Sequence, residues 1–379
     1  MSDSPLVRVG GFGQSVWLDL IRRGMLVSGE LARLVEQDGV RGVTSNPAIF
    51  HKAIAETHDY DDAIAALAAR GKSAEEIYRG LTVDDVRRAA DILRPVYDAT
   101  NGYDGYVSLE VSPHVAYDTV GAVGDARVLW SELNRPNAVV KVPATRDGLP
   151  AIRQLIDDGI NVNVTLLFGL PRYREVAEAF IAGLEDRAAR HLPLDRVASV
   201  ASFFLSRIDV VVDPMLQQKA AAGGEEGRIA GDLVGKVAIA SAKVAYQVFK
   251  EIFGGERFHA LAEQGARVQR LLWASTSTKN PAYPDLMYVE PLIGPDTVNT
   301  LPLETLNAYR DHGNPAARLE ENVEDAYRVL ERLAAAGIDI DAVTQRLEDE
   351  GVEKFVTPFD QLMDVLQHRC TAATRAKAA

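Results

Sequence analysis

The chain has a single cysteine, no long apolar run and fewer basic than acidic residues, and each shortage excludes a class of protein. One thiol, Cys370, cannot form an intrachain disulfide framework. No stretch reaches the roughly 18 apolar residues of a membrane span, and Met1 to Val9 lack the apolar core of a signal peptide. A net charge of −13 argues against nucleic-acid binding, which needs a basic face. We therefore expect a cytoplasmic protein that binds neither nucleic acid nor a membrane.

Short β-rich runs recur along the 379 residues, with alanine-rich segments of helical period between them. The runs lie at 15–20, 42–47, 106–112, 138–144, 161–168, 197–205, 270–277 and 287–294. Eight strands alternating with helices predict a parallel (β/α)8 TIM barrel of the α/β class. A doubly wound open sheet is the alternative. It would need a glycine fingerprint after its first strand, and the glycines at 10–13 precede that strand.

Two regions exceed a minimal barrel. Residues from about 48 to 105 are too many for one crossover helix and predict a helical insertion. Residues from about 301 to 379 follow the eighth predicted strand and have a helical pattern. We expect both regions to pack on the barrel, so that residues 1–379 form a single domain.

Lys141 lies in a short apolar run, between Val140 and Val142. A lysine buried in such a strand loses hydration, which disfavours the charged ammonium and leaves a nucleophilic amine. That amine can condense with a carbonyl substrate, and the protonated imine is an electron sink for cleavage of the adjacent carbon–carbon bond. The plainer alternative is an edge strand whose lysine faces water.

Polar residues on neighbouring predicted strands favour the first interpretation. Barrel strands alternate between the interior and the helix-facing side, and here the apolar residues of each strand share one face. The polar residues on the opposite faces are Asp19, Thr44, Asn46, Glu110, Lys141, Asn163 and Thr165. Because barrel strands are buried on both faces, these side chains cannot all be solvated surface. We expect them to form a site at the barrel mouth.

Each polar group has a use in chemistry that starts from a lysine imine. Glu110 can move a proton through a water held by Thr165, and Asp19 can take a hydroxyl proton when the bond beside a carbinol breaks. The amides of Asn46 and Asn163 can orient substrate hydroxyls. No metal or cofactor is expected, because the iminium is itself the electrophile and the seven histidines lack metal-site spacing.

The later strands predict an anion site. Arg207 follows the sixth strand, and Ser277 and Lys279 lie in a hydroxyl-rich run at the end of the seventh. Phosphate sites in barrels commonly lie near the last strands. Taken alone, Arg207 could pair with Asp209 or Asp213, and the hydroxyl run could be an ordinary turn. Together they favour a phosphorylated sugar as substrate.

Six motifs on or directly after these strands resemble those of one enzyme family. They lie at 17–20, 42–50, 108–112, 139–144, 161–168 and 202–207. Through them the chain resembles the transaldolases, class I Schiff-base enzymes of the pentose phosphate pathway, and among these the long form found in actinobacteria. The resemblance covers about residues 15–300. It implies reversible transfer of a dihydroxyacetone unit from sedoheptulose 7-phosphate to glyceraldehyde 3-phosphate, giving erythrose 4-phosphate and fructose 6-phosphate.

The resemblance also implies a role for each candidate residue. Lys141 would be the Schiff-base lysine, Asp19 the general acid/base of cleavage, and Glu110 with Thr165 the holders of the catalytic water. The residues expected to bind or orient substrate are Asn46, Thr44, Asn163, Ser202, Phe204, Arg207, Ser277 and Lys279. Shorter members carry a second phosphate-binding arginine where this chain has Lys279, which would bind phosphate as a point charge without a bidentate fork.

Two alternative functions remain. A fructose 6-phosphate aldolase shares the fold and the lysine but releases free dihydroxyacetone. Phe204 occupies a position that is hydrophobic in transaldolases and polar in that relative, so transfer is favoured. A catalytically silent barrel serving as a scaffold conflicts with the complete polar set. The pattern is compatible with a monomer or a homodimer, and the C-terminal helices could either cover the barrel mouth or shield its outside.

Overall fold

Eight parallel strands close into a barrel in the order of the chain. They are β1 (Gln14–Leu18), β2 (Gly42–Val43), β3 (Tyr106–Glu110), β4 (Ala138–Pro143), β5 (Val162–Leu167), β6 (Ser199–Phe204), β7 (Arg270–Ala274) and β8 (Thr297–Leu301). This computed structural model describes the backbone of residues 4–378 and the side chains of residues 4–371. Residues 1–3 of the N-terminal segment discussed above lie outside the described residues. The predicted (β/α)8 barrel class is confirmed.

Helices surround the barrel and cover its two ends. They are α1 (Pro5–Val9), α2 (Arg23–Val27), α3 (Glu30–Gln37), α4 (Pro47–Ala55), α5 (Asp61–Ala68), α6 (Ala74–Ala99), α7 (Thr119–Leu133), α8 (Gly148–Asp158), α9 (Leu170–Ala189), α10 (Ser206–Ala222), α11 (Gly224–Gly231), α12 (Val237–Phe253), α13 (Glu256–Ala262), α14 (Leu303–His312), α15 (Val323–Ala335) and α16 (Ile340–Ala378). Short 3-10 helices lie at Gly10–Phe12, Pro113–Val115 and Glu290–Leu292. Among residues 4–378, none of the helices has both the length and the apolar character needed to cross a membrane.

The eighth strand was predicted at 287–294, and this prediction is wrong. That segment forms turns and the 3-10 helix Glu290–Leu292, while β8 begins at Thr297 and α14 follows at Leu303. Pro291 has no N–H to donate to a strand ladder. The hydrophobic run at 287–294 favours that position over Thr297 to Leu301, where three of the five residues are β-branched.

The second strand is shorter than predicted. β2 ends at Val43, and α4 begins at Pro47, a residue whose fixed φ suits the first turn of a helix. Asn46 is the N-cap of α4, because its Oδ1 accepts a hydrogen bond of 3.0 Å from the backbone N–H of Ile49. The local sequence therefore holds Asn46 at the carboxyl end of the strand.

Close packing inside the barrel fixes which faces point inward. Trp17 of β1 is fully buried and lies opposite Gly42 of β2. A Cβ atom on Gly42 would stand 2.4 Å from the Trp17 ring, so only glycine fits beside this indole. Since side chains alternate along a strand, an inward Trp17 places Asp19 on the same side.

Helix α16 crosses the carboxyl ends of the strands, where it packs on α4, α5, α6 and α10 and touches β5. A buried ion pair anchors its first half, with Arg172 of α9 3.0 Å from Glu348. Further along, a Cβ on Gly351 would lie 3.0 Å from Leu166, so the helix approaches the end of β5 closely. The C-terminal helix therefore covers the barrel mouth, which the sequence pattern left open.

Candidate active site

Lys141 is buried in the centre of the sheet. Its strand β4 pairs with both neighbours, so that Lys141 stands between Glu110 of β3 and Asn163 of β5. The Nζ atom lies 3.3 Å from Glu110 Oε2 and donates a 3.0 Å hydrogen bond to the carbonyl of Ser45. Only 4% of Lys141 is exposed, so the edge-strand alternative is wrong.

Glu110 combines an ionic contact with unused hydrogen-bonding capacity. Neither of its carboxylate oxygens makes a hydrogen bond within the described residues, and neither does the hydroxyl of Thr165. Burial raises the pKa of Glu110; the charge of Lys141 opposes this shift and that of Asp19 adds to it. Buried polar atoms without partners bind water readily. A carboxyl with a raised pKa in this position is suited to exchanging protons with a bound water.

Asp19 follows β1 and faces the mouth. Thr44 donates a 2.6 Å hydrogen bond to its Oδ1, and Thr44 Oγ1 also lies 2.7 Å from the hydroxyl oxygen of Thr300. Because the Thr44 proton points to the carboxylate, Thr300 is the donor in the second contact. Burial raises the pKa of Asp19, while the Thr44 hydrogen bond and the charge of Lys141 oppose the shift.

Asn163 is held entirely by protein groups. Its Nδ2 donates to Ser108 Oγ at 3.0 Å, and its Oδ1 accepts a 2.7 Å hydrogen bond from Ser202. The Asn163 side chain is fully buried. Its amide therefore orders the strands beside Lys141, while Ser202 reaches the cavity above.

A cavity of about 190 Å³ lies above this cluster. Nine of the predicted site residues line it, namely Asp19, Thr44, Asn46, Lys141, Ser202, Phe204, Arg207, Ser277 and Lys279. The predicted residues Glu110, Asn163 and Thr165 are not in its lining. Glu110 forms the ion pair with Lys141, and Asn163 and Thr165 lie on β5, the strand that pairs with β4.

Two basic residues besides Lys141 face this cavity. Arg207, in the first turn of α10, stacks its guanidinium 5.5 Å from the centre of the Phe204 ring, and its Nη1 has no hydrogen-bond partner within the described residues. Lys279 donates a 2.5 Å hydrogen bond to Ser277. Burial lowers the pKa of Arg207, and the negative charges of Asp19 and Glu350 oppose this.

The aspartates that could have neutralised Arg207 are engaged elsewhere. Asp209 accepts hydrogen bonds from the Ala238 amide and Tyr288, and Asp213 accepts them from the Gly235 amide and Tyr283. The alternative that Arg207 serves a local ion pair is therefore wrong. Its guanidinium remains available for an anionic ligand.

Some residues of the cavity were missed by sequence reasoning. They are Ala274, Ser275, Thr300, Pro302 and Phe355. Thr300 belongs to the misplaced strand, where it shares the inward face with Val298, so correct placement of β8 would have identified it. Phe355 lies on α16, with its ring centre 5.8 Å from Lys141 Nζ, and no strand pattern could have assigned it to the site.

The fold and the cavity together define a class of protein: an enzyme of the (β/α)8 type, with a lysine–carboxylate pair at the carboxyl ends of the strands, where barrel active sites lie. Within the described residues, no three His, Cys, Asp or Glu side chains are grouped to hold a metal ion.

Comparison with known proteins identifies the family. The profile of the transaldolase/fructose-6-phosphate aldolase family matches residues 16–366, and the chain belongs to this family. It is 49% identical to transaldolase 2 of Nostoc sp. over 372 residues, which cover 97% of this chain and 98% of the relative. It is 48% identical to the transaldolase of Thermobifida fusca, with 98% of this chain and 100% of the relative covered. The family predicted from the motifs is confirmed.

Proposed function

We propose that the protein is a transaldolase. The reaction is the reversible transfer of a dihydroxyacetone unit from sedoheptulose 7-phosphate to glyceraldehyde 3-phosphate, giving erythrose 4-phosphate and fructose 6-phosphate. The observation that carries this proposal is the buried Lys141 beside Glu110, at the base of a cavity that also contains Arg207 and Lys279. The names of the relatives and their coverage of the whole chain support it.

In the first step, the neutral amine of Lys141 attacks the ketone carbon of the donor sugar. The carbinolamine then loses water to give an iminium ion. This step needs a group that gives a proton to the departing oxygen and later takes one from the returning water. Glu110 fits this role through a water held by its free oxygens and by Thr165, because its raised pKa makes both protonation states accessible.

Cleavage follows when Asp19 removes the proton of the hydroxyl on the far carbon of the bond that breaks, the carbon that becomes the aldehyde. The electrons of that carbon–carbon bond move into the iminium, leaving an enamine on Lys141 and a free aldehyde. The aldehyde product leaves, the acceptor aldehyde enters, and the same steps run in reverse with Asp19 returning its proton. Thr44 positions the Asp19 carboxylate through their 2.6 Å hydrogen bond.

The substrate phosphate would bind between Arg207 and Lys279 at the far side of the cavity. Asn46 and Ser202 would contact the sugar hydroxyls, while Asn163 acts as a positioning residue through Ser202. We place this activity in the cytoplasm, in a monomer or homodimer whose ligands are small sugar phosphates.

The test is to incubate the protein with fructose 6-phosphate, reduce the mixture with borohydride and locate the adduct by peptide mass mapping. A dihydroxyacetone-sized adduct on Lys141, absent from Lys141→Ala, is the expected result. A second assay adds erythrose 4-phosphate and measures sedoheptulose 7-phosphate.

Each outcome distinguishes a function. Adduct with product formation supports the transaldolase, whereas adduct with release of free dihydroxyacetone and no transfer would identify a fructose 6-phosphate aldolase. Absence of any adduct, or an adduct on another lysine, would overturn the role of Lys141 and leave the scaffold alternative.

A further inference from the structure

Phe355 is the one residue of the C-terminal helix α16 that lines the cavity, among the residues that the structure describes. Its side chain is almost completely buried, and its ring centre lies 5.8 Å from the Lys141 amine. The ring therefore covers the atom on which the proposed covalent intermediate forms. Phe204 closes the cavity on the β6 side, so that the amine lies in a space with two phenyl walls.

The helix holds this ring in place at several points. Toward the N-terminal end of α16, Glu348 forms the buried ion pair with Arg172, and Gly351 packs against Leu166. On the other side, Phe359 makes an edge contact with Tyr78, at 5.2 Å between ring centres. Anchors on both sides, one turn or two from Phe355, leave the ring little freedom to swing away.

A covered amine matters for one step of the proposed reaction. After cleavage, the enamine on Lys141 has two fates. It can add to an acceptor aldehyde, or its nucleophilic carbon can take up a proton. In the second case water then hydrolyses the resulting iminium and free dihydroxyacetone leaves.

The second route needs no further co-reactant. A water in the cavity carries to that carbon the proton that Asp19 removed from the donor hydroxyl, and the hydrolytic water replaces the water expelled when the imine formed. The carbon–nitrogen bond to Lys141 breaks, and the enzyme returns to its free amine. Access of water to the enamine carbon is therefore the variable that decides between transfer and release.

We propose that Phe355 is a specificity-determining residue that keeps cavity water from the enamine carbon on Lys141 and so favours transfer over release of dihydroxyacetone. The water assigned above to Glu110 and Thr165, which are outside the cavity lining, still serves imine formation and hydrolysis. This inference rests on the proposed transaldolase function. An apolar ring at this position excludes water without offering a proton donor of its own. Truncation to alanine would open a path for water between α16 and the mouth, directly above the amine.

The experiment measures a ratio within one reaction. Wild type and Phe355→Ala receive fructose 6-phosphate and erythrose 4-phosphate, and free dihydroxyacetone and sedoheptulose 7-phosphate are both quantified. The ratio of release to transfer should rise at least about tenfold in Phe355→Ala, since tenfold corresponds to a modest change in relative barriers. Phe355→Leu, which keeps apolar bulk, should give an intermediate ratio. A ratio does not depend on how much of the variant is folded.

The matched control is Leu362→Ala, a fully buried residue of the same helix that does not line the cavity. It should lose stability while keeping the wild-type ratio. An unchanged ratio in both Phe355 variants, or an equal rise in Leu362→Ala, would overturn the role of Phe355. Failure of the proposed function is distinguishable, because the wild type would then make no sedoheptulose 7-phosphate at all.

Discussion

The two ends of the barrel each contain a buried ion pair, and the pairs differ in how fully their hydrogen-bonding groups are used. At the bottom, Arg270 donates to Ser15, to the Tyr103 carbonyl and to Asp104, and its guanidinium stacks 4.1 Å from the Tyr103 ring centre. Asp104 also accepts a hydrogen bond from Trp17 at 2.8 Å. At the mouth, the Lys141–Glu110 pair has one hydrogen bond, from Lys141 to a carbonyl.

This difference separates an ion pair satisfied within the protein from one that leaves hydrogen-bonding groups open to a ligand. A buried charge is costly unless its partners satisfy it, and the bottom pair meets that condition. Among residues 4–371, the Glu110 oxygens of the mouth pair and the nearby Thr165 hydroxyl have no hydrogen-bond partners, beside a cavity that opens to ligands. Substrate and water would complete these contacts. The same residue chemistry therefore stabilises one end of the barrel and, in the proposed mechanism, reacts at the other.

Substitution of Lys141 by methionine should have the largest effect on activity and little effect on stability. We expect turnover to fall by at least about 10⁵-fold, because the covalent nucleophile is lost. At pH 4.5 the free energy of unfolding should change by less than about 1 kcal/mol, since Glu110 can then bury its neutral form at little cost. Turnover assays and urea unfolding measure the two quantities.

The matched control for that experiment is Lys243→Met. Lys243 is also buried, but it donates to the carbonyls of Arg318 and Glu321 at 2.6 and 2.7 Å. Its loss should lower stability and leave turnover per folded molecule near wild type. A large loss of stability in Lys141→Met would contradict the contrast between the two kinds of site.

Substitution of Arg270 by methionine tests the bottom pair. Removing one partner leaves Asp104 buried and unpaired, which typically costs about 3–5 kcal/mol. Urea unfolding should show this loss, with turnover per folded molecule largely retained. Arg196→Met is the control, because its ion pair with Asp195 is exposed and such pairs contribute about 0–1 kcal/mol. Equal effects of the two substitutions would show that the bottom pair is not structural.

A smaller effect is expected from Lys279→Met, which removes a point charge from the anion site. The KM for fructose 6-phosphate should rise about tenfold with kcat little changed, because the contact is made equally in ground and transition states. Lys279→Arg should restore binding. Cleavage of unphosphorylated fructose is the internal control, and its kcat/KM should not respond to either substitution.

The smallest effect concerns pH. Burial raises the pKa of Glu110 above its ordinary value of 4.5, so the native state holds its proton longer than the unfolded state does. This contribution to stability is complete below pH 4.5 and is lost as pH rises through the native pKa, with a slope of at most about 1.4 kcal/mol per pH unit. Urea unfolding from pH 4.5 to neutrality should show a shallower decline in Glu110→Gln. In exposed Glu132→Gln, the decline should match wild type.

The sequence allowed prediction of the parts that depend on strand alternation. The parity that separated Lys141 from Val140 and Val142 also places Glu110 and Asn163 beside it, and register pairs these three residues in the structure. Parity works here because a closed barrel makes every strand central. Strand parity could not show that both the amide nitrogen and the amide oxygen of Asn163 are hydrogen-bonded to protein groups, because that depends on the exact spacing of neighbouring strands.

Other parts could not be predicted from local pattern. Strand β8 is not predicted because the segment 287–294 is more hydrophobic than Thr297 to Leu301. The cavity residue Thr300, which lies on β8, is therefore not predicted either. Phe355 was missed for a different reason. The periodicity of α16 shows that one face is buried, but what that face covers is decided by contacts with residues far away in sequence.

The anchors of α16 have a consequence for how the protein folds. Glu348 pairs with a residue 176 positions earlier, and Asp360 contacts His114 at a separation of 246. Such distant contacts form only after the chain between them has been organised, and proteins rich in them fold slowly. Helix α16, which covers the barrel mouth above Lys141, would thus dock after the strands and most helices have formed. In a refolding time course, helical circular dichroism should return first and enzymatic competence should lag behind it.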